Sequence, residues 1–204
     1  MTLIPTINRK ILSVTAASLF AATLLSACGG NQQRDTFDLT VDNTTTSSDI
    51  KHNKVQILIE KPDAVKALDG QDIVIKQGGS ISYLKQAQWS DRLPDLVQAR
   101  LLQAFDNSGH FGGVGRPGDG LAINYRIITD IRSFDVTVVG NQKVATMEIA
   151  VKILDDRTGN IKASKVFTNR SAVTGVDNGY YAKALDQAFG KTTLDIVNWT
   201  NSVI

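Results

Sequence analysis

The sequence predicts an α+β domain: a mainly antiparallel sheet with two amphipathic helices packed on one face. Two stretches carry apolar residues at spacings of three and four, Leu93 to Phe105 and Tyr181 to Val203, the period of a helix with one buried stripe. Between them some fifty residues, Leu121 to Phe167, alternate apolar and polar side chains across short turns, which argues for consecutive antiparallel strands. Composition agrees with a globular fold, at 42% hydrophobic and 21% charged residues. Twenty-two cations against twenty anions leave no basic footprint for nucleic acid, which is excluded as a partner. One cysteine and two histidines, His52 and His110, can build neither an intrachain disulfide nor a structural zinc site, so no metal and no cofactor are expected.

The chain opens with Arg9 and Lys10, followed by seventeen uncharged residues from Ile11 to Ala27 that are interrupted by five serines and threonines. A spanning helix needs about 20 apolar residues, so this layout reads as a secretory signal peptide over residues 1–27. It closes with Leu25-Ser26-Ala27-Cys28, which resembles the lipobox of bacterial lipoproteins. That resemblance implies diacylglyceration of the Cys28 thiol, cleavage before it and acylation of the new amine, giving a membrane anchor of several acyl chains. One acyl chain binds only marginally, whereas several hold durably. Removing residues 1–27 takes away two cations and no acid, so the processed chain is formally neutral. Gly29 follows the cysteine where an Asp would favour inner-membrane retention; by the same resemblance this implies the outer membrane, on its periplasmic side.

Residues 28–36 read as the lipidated N-terminus and a polar tether, and residues 37–204 as a single domain. Phe37, Leu39 and Val41 alternate as in a half-buried strand, and Asp42 to Asp49 is a polar surface loop. Val55 to Ile59 is a β-branched strand ended by Pro62. Ile73-Val74-Ile75 and Ile81 to Leu84 flank Gly78-Gly79, a hairpin signature. The first helix is expected from Ser90 as N-cap, with Pro94 near its start and Ser108-Gly109 at its end. A glycine-rich loop, Gly109 to Gly120, leads into a strand beginning at Leu121. There the buried parity of Leu121, Ile123, Tyr125, Ile127 and Ile131 passes to Phe134, Val136 and Val138, which predicts a bulge or bend near Ser133. Gly140-Asn141 and Asp155 to Asn160 are the turns of a three-strand meander, and Asp177 or Asn178 caps the last helix.

Two motifs look chemical and sit in the wrong context. Gly113 to Gly118 matches G-x-G-x-x-G, but a phosphate cradle must follow a strand and open a helix, and this run does the reverse. Ser82 and Lys85 match S-x-x-K but lie in a predicted strand, where side chains three apart point to opposite sides. Neither histidine belongs to a recognisable triad, so catalysis is not expected.

Lipobox Cys28, the strand around Phe37, Asp72 to Ile75, the run from Ile81-Ser82-Tyr83-Leu84 through Trp89 into Leu93-Pro94, and Ile131 to Asp135 occur in this order. The chain resembles the ABC-type transport auxiliary lipoprotein family, the PqiC-like component that accompanies MCE-type intermembrane lipid transporters. The resemblance covers the whole processed chain, and its most specific part runs from Tyr83 to Leu96. It implies a non-enzymatic lipoprotein that meets an MCE-domain protein and its ABC permease and ATPase and helps lipid pass between membranes, with a homo-oligomer and phospholipid as further implied partners. A stand-alone lipoprotein binding lipid or a small apolar ligand, or an envelope assembly or regulatory lipoprotein, are the alternatives. Tyr83, Trp89 and Arg92 are the candidate partner surface. Trp89 precedes the helix and either staples it or faces a partner; Arg92, read as lying against the helix dipole, either finds a partner or stays solvated.

Overall fold

The computed structural model describes residues 33–41 and 50–204. Cys28, the signal peptide and the Asp42 to Asp49 loop lie outside the described residues. The described chain holds nine strands and two helices. The strands are β1 (Asp35–Phe37), β2 (His52–Ile59), β3 (Asp63–Ala64), β4 (Asp72–Gln77), β5 (Ser80–Trp89), β6 (Phe111–Gly115), β7 (Tyr125–Val139), β8 (Gln142–Asp155) and β9 (Ile161–Ala172). The helices are α1 (Leu93–Ser108), between β5 and β6, and α2 (Asn178–Val203), after β9.

The architecture is α+β, built on the expected meander. β7 pairs antiparallel with β8 from Tyr125↔Asp155 to Val139↔Gln142, and β8 with β9 from Val144↔Ala172 to Leu154↔Ile161. The 15 residues of β7 make it long enough to serve three partners in turn along its other edge. β2 lies against Tyr125 to Ile127, β3 against Asp130 and Ile131, and β4 against Asp135 to Val138, all parallel. β5 returns antiparallel on β4, β1 adds parallel to β5, and β6 parallel to β2. The sheet is therefore mixed, with its longest ladders antiparallel.

The parity switch in β7 has the expected origin. Register shifts between Ile131 and Ser133, so Arg132 is the extra residue, and buried Ile127 and Ile131 share a face with buried Phe134 and Val136. Gly78 and Gly79 close the β4–β5 hairpin with φ of 55° and 82°, a left-handed pair that glycine adopts without a Cβ penalty.

Four expectations need correction. The first strand ends at Phe37 and does not run on through Leu39 and Val41, because the Thr40 amide and hydroxyl donate to the Asp186 carboxylate instead of to a neighbouring strand. The glycine-rich stretch is not wholly loop, because Phe111 to Gly115 forms β6 along β2; a Cβ on Gly112 would stand 2.1 Å from the Asn53 carbonyl oxygen, so glycine is what permits that approach. β7 starts at Tyr125 rather than Leu121, since Asn124 turns the chain and its Oδ1 accepts the Gln56 amide at 2.8 Å. Helix α1 begins after Arg92, not Ser90. The Ser90 amide donates to the Phe37 carbonyl and the Leu93 amide to the Gly70 carbonyl, contacts between segments distant in sequence that hold Ser90 in a bend outside the helix.

The core gathers Trp89, Phe105, Phe134 and Phe189 with Leu93, Leu101, Ile127 and Ile131, all essentially inaccessible to solvent. Helix α1 supplies Leu93, Leu96, Val97, Leu101 and Phe105 as its buried stripe and packs on β2 and β6. Helix α2 packs on β7, β8, β9 and β1, with Tyr181, Leu185, Ala188, Phe189 and Ile196 inward.

Candidate functional site

The predicted surface residues separate into three environments around β5. Tyr83 is 47% exposed, and Ile81, two residues before it on the same strand face, is 52% exposed. Next to them lies a polar cluster. Tyr83 pairs with Val74, which pairs with Asp135, and residues opposite one another share a face. Asp135 is a wholly buried carboxylate. It is held by Lys76 Nζ at 2.7 Å, by Thr137 Oγ1, which donates at 3.0 Å, and by a short bond from Ser133 Oγ. A buried charge persists only when so compensated. Lys76 itself pairs with Ile81 across the hairpin, so the exposed face presents two apolar side chains beside a fixed cation.

Beyond Tyr83 the strand bulges. Gln88 faces Asp72 and Tyr83 faces Val74, so β5 advances five residues while β4 advances two, about 7 Å. The surplus is absorbed around Gln86, whose φ of 56° is the one left-handed non-glycine value among the described residues. The bulge is pinned from both sides. Asn178, the first residue of α2, donates through Nδ2 to the Lys85 carbonyl at 3.1 Å, and Arg34 donates to the Ala87 carbonyl at 2.7 Å while pairing with Asp72.

Trp89 departs from a surface role. It is fully buried, edge-to-face with Phe134 at 5.6 Å, and Phe134 continues to Phe189 at 6.1 Å. Its amide donates to Gln71 and the next residue's amide to Phe37, which turns the indole into the core. Trp89 is removed from the exposed surface and becomes the residue that ties β5 to the core beneath it. Arg92 is the N-cap residue of α1 rather than a member of its first turn, and its guanidinium meets Asp69 Oδ1 at 2.5 Å. This is a half-exposed pair, of the kind worth about 0.2–1 kcal/mol. Of the three candidates only Tyr83 and Arg92 reach solvent, on either side of the bulge.

Nothing in the described residues gathers metal ligands: no group of three or more His, Cys, Asp or Glu side chains is placed to hold an ion. Arg126 with Asp156 and Glu60 forms an ion-pair network in which the hydrogen bonds that the guanidinium donates to the two carboxylates raise its pKa further. Sequence reasoning missed Ile81, Lys76, Asp135 and Gln86 as neighbours of Tyr83. Ile81 was legible from its two-residue spacing; Gln86 was not, because no local signal demands a left-handed glutamine.

The fold and this exposed strand edge define a class: an α+β domain in which a long central strand opens a three-strand meander on one edge and carries three short parallel strands on the other. The same fold occurs in the crystal structure of a Xanthomonas campestris protein of family DUF330, with a TM-score of 0.75 and 25% identity over 82% of this chain and 95% of that one. It recurs in a hypothetical protein of Chlamydia trachomatis, with a TM-score of 0.53 and 7% identity over 73% of this chain and 96% of that one. An uncharacterized protein of Bradyrhizobium diazoefficiens is 27% identical over 173 residues, 84% of this chain. The chain spans 46% of that relative's length. The family model of the ABC-type transport auxiliary lipoprotein component matches residues 37–197, and the chain belongs to that family. No helix among the described residues is long and apolar enough to cross a membrane.

Proposed function

We propose that this chain is a non-enzymatic docking subunit of an ABC/MCE-type intermembrane lipid transport system, held at the periplasmic face of the outer membrane by acyl chains on Cys28. In this reading residues 1–27 are removed, residues 28–36 form the lipidated tether, and residues 37–204 form the periplasmic domain. Membership of a transport auxiliary lipoprotein family over residues 37–197 carries the reading, and the lipobox-like Leu25 to Cys28 supports the anchor. The β5 edge supplies a docking surface. Exposed Tyr83 and Ile81 beside Lys76, with the Arg92–Asp69 pair beyond the bulge, combine an aromatic anchor with charges at the rim, the composition of interface hot spots. The MCE-domain protein of the system is the partner, with the permease and ATPase behind it.

Two measurements test the reading separately. A Cys28→Ala chain should leave the membrane fraction; retention in that fraction overturns the anchor. A photo-crosslinking residue at position 83 should capture the MCE-domain protein, identified by mass, while the same residue at exposed Val176 should not. Equal capture at both positions, or none at 83, overturns the docking surface and leaves the anchor standing.

A further inference from the structure

Strand β9 is the long uncovered edge of the sheet. It runs 12 residues, pairs among the described residues only with β8, and most of its side chains are exposed. The other terminal strands, β1 and β6, have three and five residues, and β5 is open on its outer side only from Ser80 to Gln86, before β1 joins it at Ala87. Among the described residues, no strand and no backbone hydrogen bond from another element covers the outer side of β9. Native sheets seldom leave so long a row of backbone donors and acceptors open.

Beside this edge lies a cleft of about 560 Å³ between β9 and the C-terminal half of α2, lined among others by Lys165, Phe167, Thr168, Asp195, Asn198 and Trp199. Phe167 and Trp199 meet edge-to-face at 5.5 Å, and Trp199 is only partly buried, so an aromatic wall stands next to the open backbone. The Asn198 side-chain oxygen has no hydrogen-bond donor. Charge is one-sided along the strand: β9 carries Lys162, Lys165 and Arg170 and no acid; Lys162 reaches the Tyr125 hydroxyl and the Ile204 carbonyl oxygen, and among the described residues no side-chain carboxylate pairs with any of the three. Lys165 lies over the Phe167 ring, 4.9 Å from its centroid.

We propose that β9 and this cleft form a strand-addition site for an extended, acidic segment of a partner polypeptide. Backbone pairing along β9 supplies the contact common to such sites, and pockets beside the edge select alternate side chains. Here the pocket takes an apolar side chain against Trp199 and Phe167, and the cations select carboxylates. A second copy of this chain is the poorer occupant, since β9 against β9 would oppose cation to cation. The site is separate from the Tyr83 surface and does not depend on the transporter reading.

The full-length chain in detergent micelles is titrated with three fluorescent ten-residue peptides of alternating valine with glutamate, glutamine or lysine. Polarisation reads binding, and hydrogen exchange reads the β9 amides. The glutamate peptide should bind saturably, about tenfold or more tighter than the lysine peptide, and should slow exchange in β9 but not in β1 or β6. The Lys165→Glu/Arg170→Glu double variant, altered only at exposed positions, should reverse the order while retaining its far-UV spectrum. Absence of saturable binding by the glutamate peptide, binding that leaves β9 exchange unchanged, or indifference to the charge reversal overturns the proposal. So does protection of β9 that rises with protein concentration without peptide, which assigns the edge to a second copy.

Discussion

Replacing Trp89 with alanine should cost about 4 kcal/mol of folding stability, and replacing it with phenylalanine within about 1 kcal/mol. A core aromatic buries roughly 150–250 Å², which at about 25 cal/mol per Å² corresponds to about 4–6 kcal/mol. Trp-to-Ala changes in cores cost about 3–5 kcal/mol once partial collapse is counted. Trp89 has no exposed surface and touches Phe134, which touches Phe189, so the cavity lies between elements that a local shift does not close. Phenylalanine keeps most of the ring contact and removes the Trp89 indole N–H, which is buried without an acceptor; relief of an unpaired donor is worth about 1–3 kcal/mol and offsets the lost volume. Urea unfolding of the detergent-solubilised chain, followed by far-UV circular dichroism, measures both variants. At about 2–4 °C per kcal/mol for a chain of this size, the alanine variant should melt roughly 8–16 °C lower. A cost below about 1.5 kcal/mol for alanine would refute the core assignment and return Trp89 to the surface. Equal costs for the two variants would refute the role given to the unpaired donor.

Two further outcomes follow from particular residues. Burial, and then the neighbouring charges of His52 and Lys51, hold the His110 pKa below its ordinary 6.5, while the Ile50 backbone pulls it up. The folded value is thus the lower one, so His110's contribution to stability is complete above about pH 6.5 and is lost as pH falls from there through the folded pKa. Melting temperatures at pH 7.5 and 5 should differ more for the native chain than for His110→Leu; an unchanged difference contradicts the assignment. Gln86→Gly should stabilise by about 1 kcal/mol, because a left-handed backbone penalises a Cβ and the glutamine side chain is exposed; a loss of stability in the same urea assay would show that its side chain holds the bulge.

The local periodicities of this chain already specify its two helices, the β4–β5 hairpin, the β7–β9 meander and the bulge beside Ser133. Each is a one-dimensional signal: a spacing of three and four, an alternation, a glycine pair, or a change of parity. The α+β class and the family resemblance rest on these signals and on the run from Tyr83 to Leu96. What local pattern does not carry is pairing between segments distant in sequence. That β2, β3 and β4 share one edge of β7 in succession, and that Gly112 lets β6 lie on β2, depend on partners 57 to 68 residues away. The same holds for the candidate surface. Tyr83 and Trp89 are both aromatic and six residues apart, and only the β1 and β4 contacts that steer the end of β5 send one outward and the other into the core. Burial is a property of the assembled sheet, so the tertiary structure alone decided which aromatic could meet a partner.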